Sequence, residues 1–206
     1  MDIGLRNLDI TLGLSDRALM DFSDVALGRC PLARGAVDHP DVKGLSLLTA
    51  PMSLSPSLTI DKVRAMLDTA RGQYDYILID SPAGLGAGFR LAICGADRAL
   101  VIATNDASSL RDAQRTVCEL ESIRQVHLIM NRIQPKLLRK LRATIDDAMN
   151  TAGLPLIGVV PEDDQVMLAA NLGQPLTAQG RRGAALACWN IALRLDGNQV
   201  PIMRIR

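Results

Sequence analysis

The sequence predicts an α/β protein, a three-layer α-β-α arrangement around a mostly parallel sheet. Three observations predict it. Short, nearly continuous aliphatic runs recur along the 206 residues, the pattern of strands buried on both faces. Between them lie longer stretches whose apolar residues repeat at helical spacing. Strand and helix alternate at the interval of parallel sheets with crossover helices.

The strand candidates, in order, are residues 45–50, 76–80, 99–103, 126–130 and 156–160. The first helical pattern, residues 58–70, carries Ile60, Val63, Ala65, Met66 and Leu67, with Ser57 as its expected N-cap. The second, residues 109–123, carries Leu110, Ala113, Val117, Leu120 and Ile123, with Ser108 as its expected N-cap. Residues 137–152 and 184–195 follow the same spacing, and Gly153-Leu154-Pro155 stops the former before the next strand. With no internal repeat and no linker, residues 1–206 read as one domain. In such sheets ligands sit beyond the carboxyl ends of the strands. The loops after Asp80, Thr104, Met130 and Val160 are therefore the places to look for chemistry.

Composition narrows the function. Aromatics make up 2% of the chain, too few to stack single-stranded nucleic acid. The net charge of +1 sets up no global field for nucleic acid or an anionic membrane. One basic cluster stands out, Lys136-Leu137-Leu138-Arg139-Lys140-Leu141-Arg142. A solvated helix face is the favoured reading; a contact with DNA, lipid or an acidic partner is the sharper one. Cys30, Cys94, Cys118 and Cys188 lack metal-ligand spacing, and a reducing cytoplasm is expected. No signal peptide or bilayer-crossing run is expected either. His39 and His127 are not placed for metal or acid–base work, and no Ser-His-Asp arrangement has local support.

Four segments carry candidate chemistry. In Tyr74-Asp75-Tyr76-Ile77-Leu78-Ile79-Asp80-Ser81-Pro82-Ala83-Gly84 an aliphatic run ends in an acid and turns. A strand-end Asp holds the hydration shell of a phosphate-bound Mg²⁺, and equally caps a turn. At the start, Asp2 and Asp9 flank a loop with Gly4, Arg6 and Asn7; by composition alone a polar tail is the plainer reading. Around Ser108 a strand end leads into a charged helical turn, where capping suffices as an explanation. Asn131 and Pro161 follow strands and could face an adenine edge or form ordinary turns.

In order, Asp2-Ile3-Gly4-Leu5-Arg6-Asn7-Leu8-Asp9, Asp80-Ser81-Pro82-Ala83-Gly84, Ser108 to Arg115, Gly158-Val159-Val160-Pro161-Glu162-Asp163 and Asn171-Leu172-Gly173-Gln174-Pro175 resemble the segments of MinD-like ATPases, members of the MinD/ParA deviant-Walker P-loop family. The resemblance implies an ATP- and Mg²⁺-dependent homodimer that binds the inner face of the membrane reversibly in division-site placement. A MinC-type division inhibitor is the implied partner, with a MinE-type or topological factor as a further one, and no direct nucleic-acid contact is expected. By position, Asp2 and Asn7 are implied catalytic residues, Asp9 lies beside them in switch I, and Asp80 serves Mg²⁺. Asn131, Pro161 and Asp163 are implied around adenine, and the helix from Arg111 to Glu121 near the partner-binding face.

The sequence departs from the family twice. No Gly-rich loop ending in Lys-Thr or Lys-Ser occurs in it, so the phosphate cradle and its lysines are absent. The first βαβ unit is expected to be missing, leaving an N-terminally incomplete domain that is inactive as given, poorly soluble and apolar around Leu78. The close at Val200-Pro201-Ile202-Met203-Arg204-Ile205-Arg206 resembles at most a stub of a lipid-binding helix, which weakens the expected membrane contact. Two alternatives remain: a non-catalytic interaction module derived from the family, and a ParA- or flagellar-number-type ATPase.

Overall fold

The computed structural model describes Met1, Ile3, Gly4 and residues 7–203. The chain gathers into two compact units. The first takes Met1–Ala96 with Ala170–Pro175, and the second takes Asp97–Ala169 with Leu176 onward.

The first unit begins with three short helices, α1 (Asn7–Thr11), α2 (Phe22–Ala26) and α3 (Leu32–Gly35). Asp21 starts α2 through a reciprocal cap: its carboxylate accepts from the amides of Ser23 and Asp24, while Asp24 accepts from the Asp21 amide. Next come β1 (Val37–Asp38) and β2 (Ser46–Leu47), paired antiparallel, then α4 (Ile60–Arg71) and α5 (Ala87–Ile93). The N-cap of α4 is Thr59, not the expected Ser57; the Thr59 hydroxyl accepts from the Lys62 amide at 3.4 Å. Val63, Met66, Leu67 and Ala70 form the buried face of α4. Val63, Met66 and Leu67 meet Phe22 and Leu91 in one core, against which Met1, Ile3, Leu48, Ala50 and Ile79 pack.

Two strand expectations in this unit are corrected. Residues 45–50 supply only the two-residue β2, in an antiparallel pair. Residues 76–80 join no ladder among the described residues. A strand exists through its neighbours' hydrogen bonds, so an aliphatic run alone does not make one. Ile79 reaches the core, while Leu78 is 85% exposed and Tyr76 62%, the apolar exposure expected around Leu78.

The second unit holds the parallel sheet, β3 (Arg98–Ala103), β4 (Gln125–Ile133) and β5 (Leu156–Pro161), in that spatial order. Between β3 and β4 runs α6 (Ala107–Glu119), and between β4 and β5 run α7 (Pro135–Leu141) and α8 (Ile145–Ala152). After β5 come α9 (Asp164–Asn171), a 3₁₀ turn (Leu176–Gln179) and α10 (Gly183–Leu195). Ile129, Ile157 and Val160 pack with Ala184, Ala187 and Ile191 of α10. Strand alternation sends the buried Leu128 and Met130 to the opposite face, where α8 contacts β4 and α6 contacts both α8 and β3. Helices thus cover both faces of a parallel sheet, as the α-β-α expectation required.

The predicted helix over residues 137–152 is two helices. Arg142 ends α7 in the left-handed region at φ 51°. Thr144 then starts α8, its hydroxyl accepting from the Asp147 amide while the Asp147 carboxylate accepts from the Thr144 amide. Gly153 closes α8 at φ 68°, as the sequence predicts, since only glycine takes that conformation without steric cost.

Candidate functional site

In the first unit the chain carries Asn7 and Asp80 to one cleft. It is small, about 40 Å³, and is lined by Met1, Asn7, Leu8, Asp9, Asp80 and residues 47–50. Its far wall is fixed by α2: the Phe22 amide donates to the Thr49 carbonyl at 2.9 Å, and the Thr49 hydroxyl donates to the Met20 carbonyl at 3.1 Å. The Met1 amine donates to the Asp80 carbonyl, joining positions 79 apart in sequence. Ile3 packs on the same core as Ile79, so apolar anchors on each segment hold their polar neighbours at the rim. Asn7 and Asp80 are exposed there, while Asp9 is buried. Asp2 lies outside the described residues, as do Arg204, Ile205 and Arg206.

In the second unit Asn131, Pro161 and Asp163 lie at or just past the carboxyl ends of neighbouring strands. Asn131 is half-buried in β4, where the pairing with β5 shifts register between Met130 and Ile133. Within that irregularity Arg132 takes φ 55°, an uncommon conformation for a non-glycine residue. Its guanidinium donates to the Glu162 carboxylate at 2.8 Å. The Glu162 amide donates to the Ile133 carbonyl at 3.1 Å. Together these tie the ends of β4 and β5.

Asp163 is engaged by backbone on both oxygens. One accepts from the Gln165 amide at 3.0 Å and the other from the Ala184 amide at 2.9 Å. A Cβ on Gly183 would stand 2.0 Å from that second oxygen, so glycine is required where α10 starts. The carboxylate therefore fixes the turn after β5 to the first residues of α10, and the backbone around Pro161 is what remains for a ligand.

The start of α6 is built on Asp106, not on the expected Ser108. The Asp106 carboxylate accepts from the Ser108 hydroxyl at 2.6 Å, from the Ser109 amide at 2.9 Å and from the Thr104 hydroxyl. These donors, Ser108 first, hold its pKa down at about 2. Arg111, Asp112, Gln114 and Arg115 follow on the exposed face of α6. This cap borders an open cleft of about 630 Å³, which Arg132, Glu162 and the leucines of α7 also line.

Sequence reasoning did not foresee the Arg132–Glu162 pairing. Positions 30 apart carry no local signal, and the left-handed backbone at an arginine has no sequence mark. Likewise nothing in the sequence marked Leu47, Leu48 and Thr49 as a cleft wall.

No family model matches the chain. A septum site-determining protein MinD of Helicobacter pylori is 38% identical over 216 residues, covering 100% of this chain and 80% of the relative. Among solved structures, the MinC:MinD cell division protein complex of Aquifex aeolicus superposes with a TM-score of 0.89 at 34% identity, over 98% of this chain and 83% of that one. MinD of Pyrococcus horikoshii complexed with Mg-ADP shares the fold with a TM-score of 0.79 at 23% identity, over 95% of this chain and 80% of that one.

Proposed function

Because the chain belongs to the MinD family of septum site-determining proteins, we propose that it carries the magnesium-side and adenine-side residues of a MinD-type ATPase acting in division-site placement. The observation that supports this reading is the meeting of Asn7 and Asp80 at one cleft, beside Asp9. Asn7 and, by the resemblance, Asp2 are the residues for the attacking water. Asp80 takes the Mg²⁺ hydration shell. Among the described residues no three His, Cys, Asp or Glu side chains cluster as metal ligands, so Asp80 would act on a metal already held by phosphate and water. Asn131, Pro161 and Asp163 stand on the adenine side, Asn131 by its amide and Pro161 by a flat apolar surface and a carbonyl.

These residues would flank the two ends of the nucleotide but do not cradle its phosphates. A cleft of about 40 Å³ is far below the roughly 300 Å³ at which small-molecule sites begin. The 206 residues hold no Gly-rich loop ending in Lys-Thr or Lys-Ser to cradle a triphosphate. No hydrolytic step runs through these residues alone. Nucleotide-dependent homodimerisation and reversible association with the inner face of the membrane belong to the family cycle in which these residues take part. Among the described residues no helix is long and apolar enough to cross a membrane. The MinC:MinD complex of the Aquifex relative supports a MinC-type partner, received on the exposed face of α6 at Arg111, Asp112 and Arg115.

Phosphate release from Mg-ATP tests the catalytic part. The 206-residue chain is expected to give none above background, and turnover abolished by Asp80→Ala would refute that. A MinC-type inhibitor offered to the chain tests the partner. Binding weakened at least ten-fold by Asp112→Lys supports the α6 face; unchanged binding sinks it.

A further inference from the structure

The second unit carries an unusual helix in α7. None of its seven residues is buried, although three are leucines. Pro135 opens it and the left-handed Arg142 closes it, so it stands as a separate piece ahead of α8. At helical spacing Leu137, Leu138 and Leu141 fall on one side, and Lys136, Arg139, Lys140 and Arg142 share the remainder. Leu137 is 45% exposed and Leu141 54%, and both border the open cleft of about 630 Å³.

The cations have no acidic residue of their own among positions 134–143. The Arg139 guanidinium donates to the Pro135 carbonyl at 3.3 Å. Lys136, Lys140 and Arg142 form no ion pair with another described residue. The carboxylates bordering the cleft are held by their own neighbours: Glu162 by Arg132, Asp147 by Thr144, and Asp106 by Thr104, Ser108 and Ser109. Four cations therefore face outward beside two exposed leucines, in a chain whose net charge is only +1.

We infer that α7 is a contact for an anionic lipid bilayer. The charge calls for an anionic surface. The leucines select a bilayer over nucleic acid, because a phosphate backbone offers them no apolar layer, whereas a helix lying in the headgroup region buries them while its cations meet lipid phosphates. One short helix gives weak binding, so it acts as an auxiliary contact. It rests on the helix itself and adds a surface to the membrane association proposed above.

Co-sedimentation of the 206-residue chain with vesicles, without nucleotide, tests it. Binding is expected to vesicles containing phosphatidylglycerol and not to pure phosphatidylcholine, and to fall as salt rises. Each cation near an anionic leaflet strengthens binding roughly five-fold, so Lys136→Gln with Lys140→Gln weakens it about 25-fold. Leu137→Ser with Leu141→Ser weakens it while leaving the charge intact. Both pairs are exposed, and circular dichroism checks that the fold is kept. No binding, equal binding to neutral vesicles, or full binding by both variants overturns the inference. So does a preference for duplex DNA over anionic vesicles through the same lysines. A missing response to ATP bears on the nucleotide cycle alone and leaves the α7 contact standing.

Discussion

Asp106 concentrates several effects in one exposed side chain. It accepts from two hydroxyls and one amide and supplies the N-cap of α6. Asp106→Ala is expected to lower unfolding stability by about 1 kcal/mol, read from urea denaturation at pH 7, whereas Asp106→Asn keeps most of it because Asn caps nearly as well. The two variants separate capping from charge. Its folded pKa of about 2 lies below the ordinary 3.8, so the charged form is favoured by folding. That stabilisation is complete above about pH 4 and is lost as pH falls toward 2. The Asn variant should show a flatter denaturation midpoint across this window, and identical acid slopes would sink the argument. The sequence points to Ser108 as the cap, where Asp106, two positions earlier, holds that place. Composition does not rank them, because the choice depends on where the backbone leaves β3. Asn7 and Asp80 are named through the family resemblance, and the structure brings their segments together because Ile3 and Ile79 pack on one core.

At the scale of elements, legibility followed the hydrogen-bond partner. β3, β4 and β5 pair with one another, and all three appeared in the sequence to within three residues at either end. Residues 76–80 have the same composition but join no ladder among the described residues, and residues 45–50 join a ladder only over Ser46–Leu47, with an isolated bridge from Thr49 to Asp21. The division of residues 137–152 was hidden for another reason. Apolar spacing continues across Arg142, and the break rests on one left-handed residue followed by the Thr144 cap. Packing of β5 on α10 yields a sharper test. A Cβ at Gly158 would stand 2.3 Å from Cγ1 of Ile191, so the helix sits directly on the strand backbone. Gly158→Ala is expected to destabilise by about 1–3 kcal/mol through overpacking. Ile191→Ala opens space at its own cost, and the double variant should be less destabilised than the two losses added together. Simple additivity in denaturation midpoints would mean that the strand and helix do not meet there.

For the molecule as a whole, the exposed run Tyr76-Ile77-Leu78 sets a physical problem that the two cores do not solve. Leu78 is 85% exposed and sits in an aliphatic segment without a ladder partner among the described residues, next to Ile79, which the first core holds. Such a segment favours association with another chain, because β-propensity and exposed apolar side chains coincide. The 206-residue chain is therefore expected to associate and precipitate as its concentration rises. Leu78→Lys should raise the soluble fraction after centrifugation and lower light scattering, since a charge in place of an exposed leucine opposes association. It should change unfolding stability by no more than about 0.5 kcal/mol, because an exposed side chain contributes little to the core. Ile79→Lys is the contrasting variant. It places a charge against Phe22 and Leu91 and should unfold the first core, lowering solubility. Opposite outcomes at adjacent positions would trace the association to the outward side of this run. Equal scattering from wild type and Leu78→Lys would place its cause elsewhere on the surface.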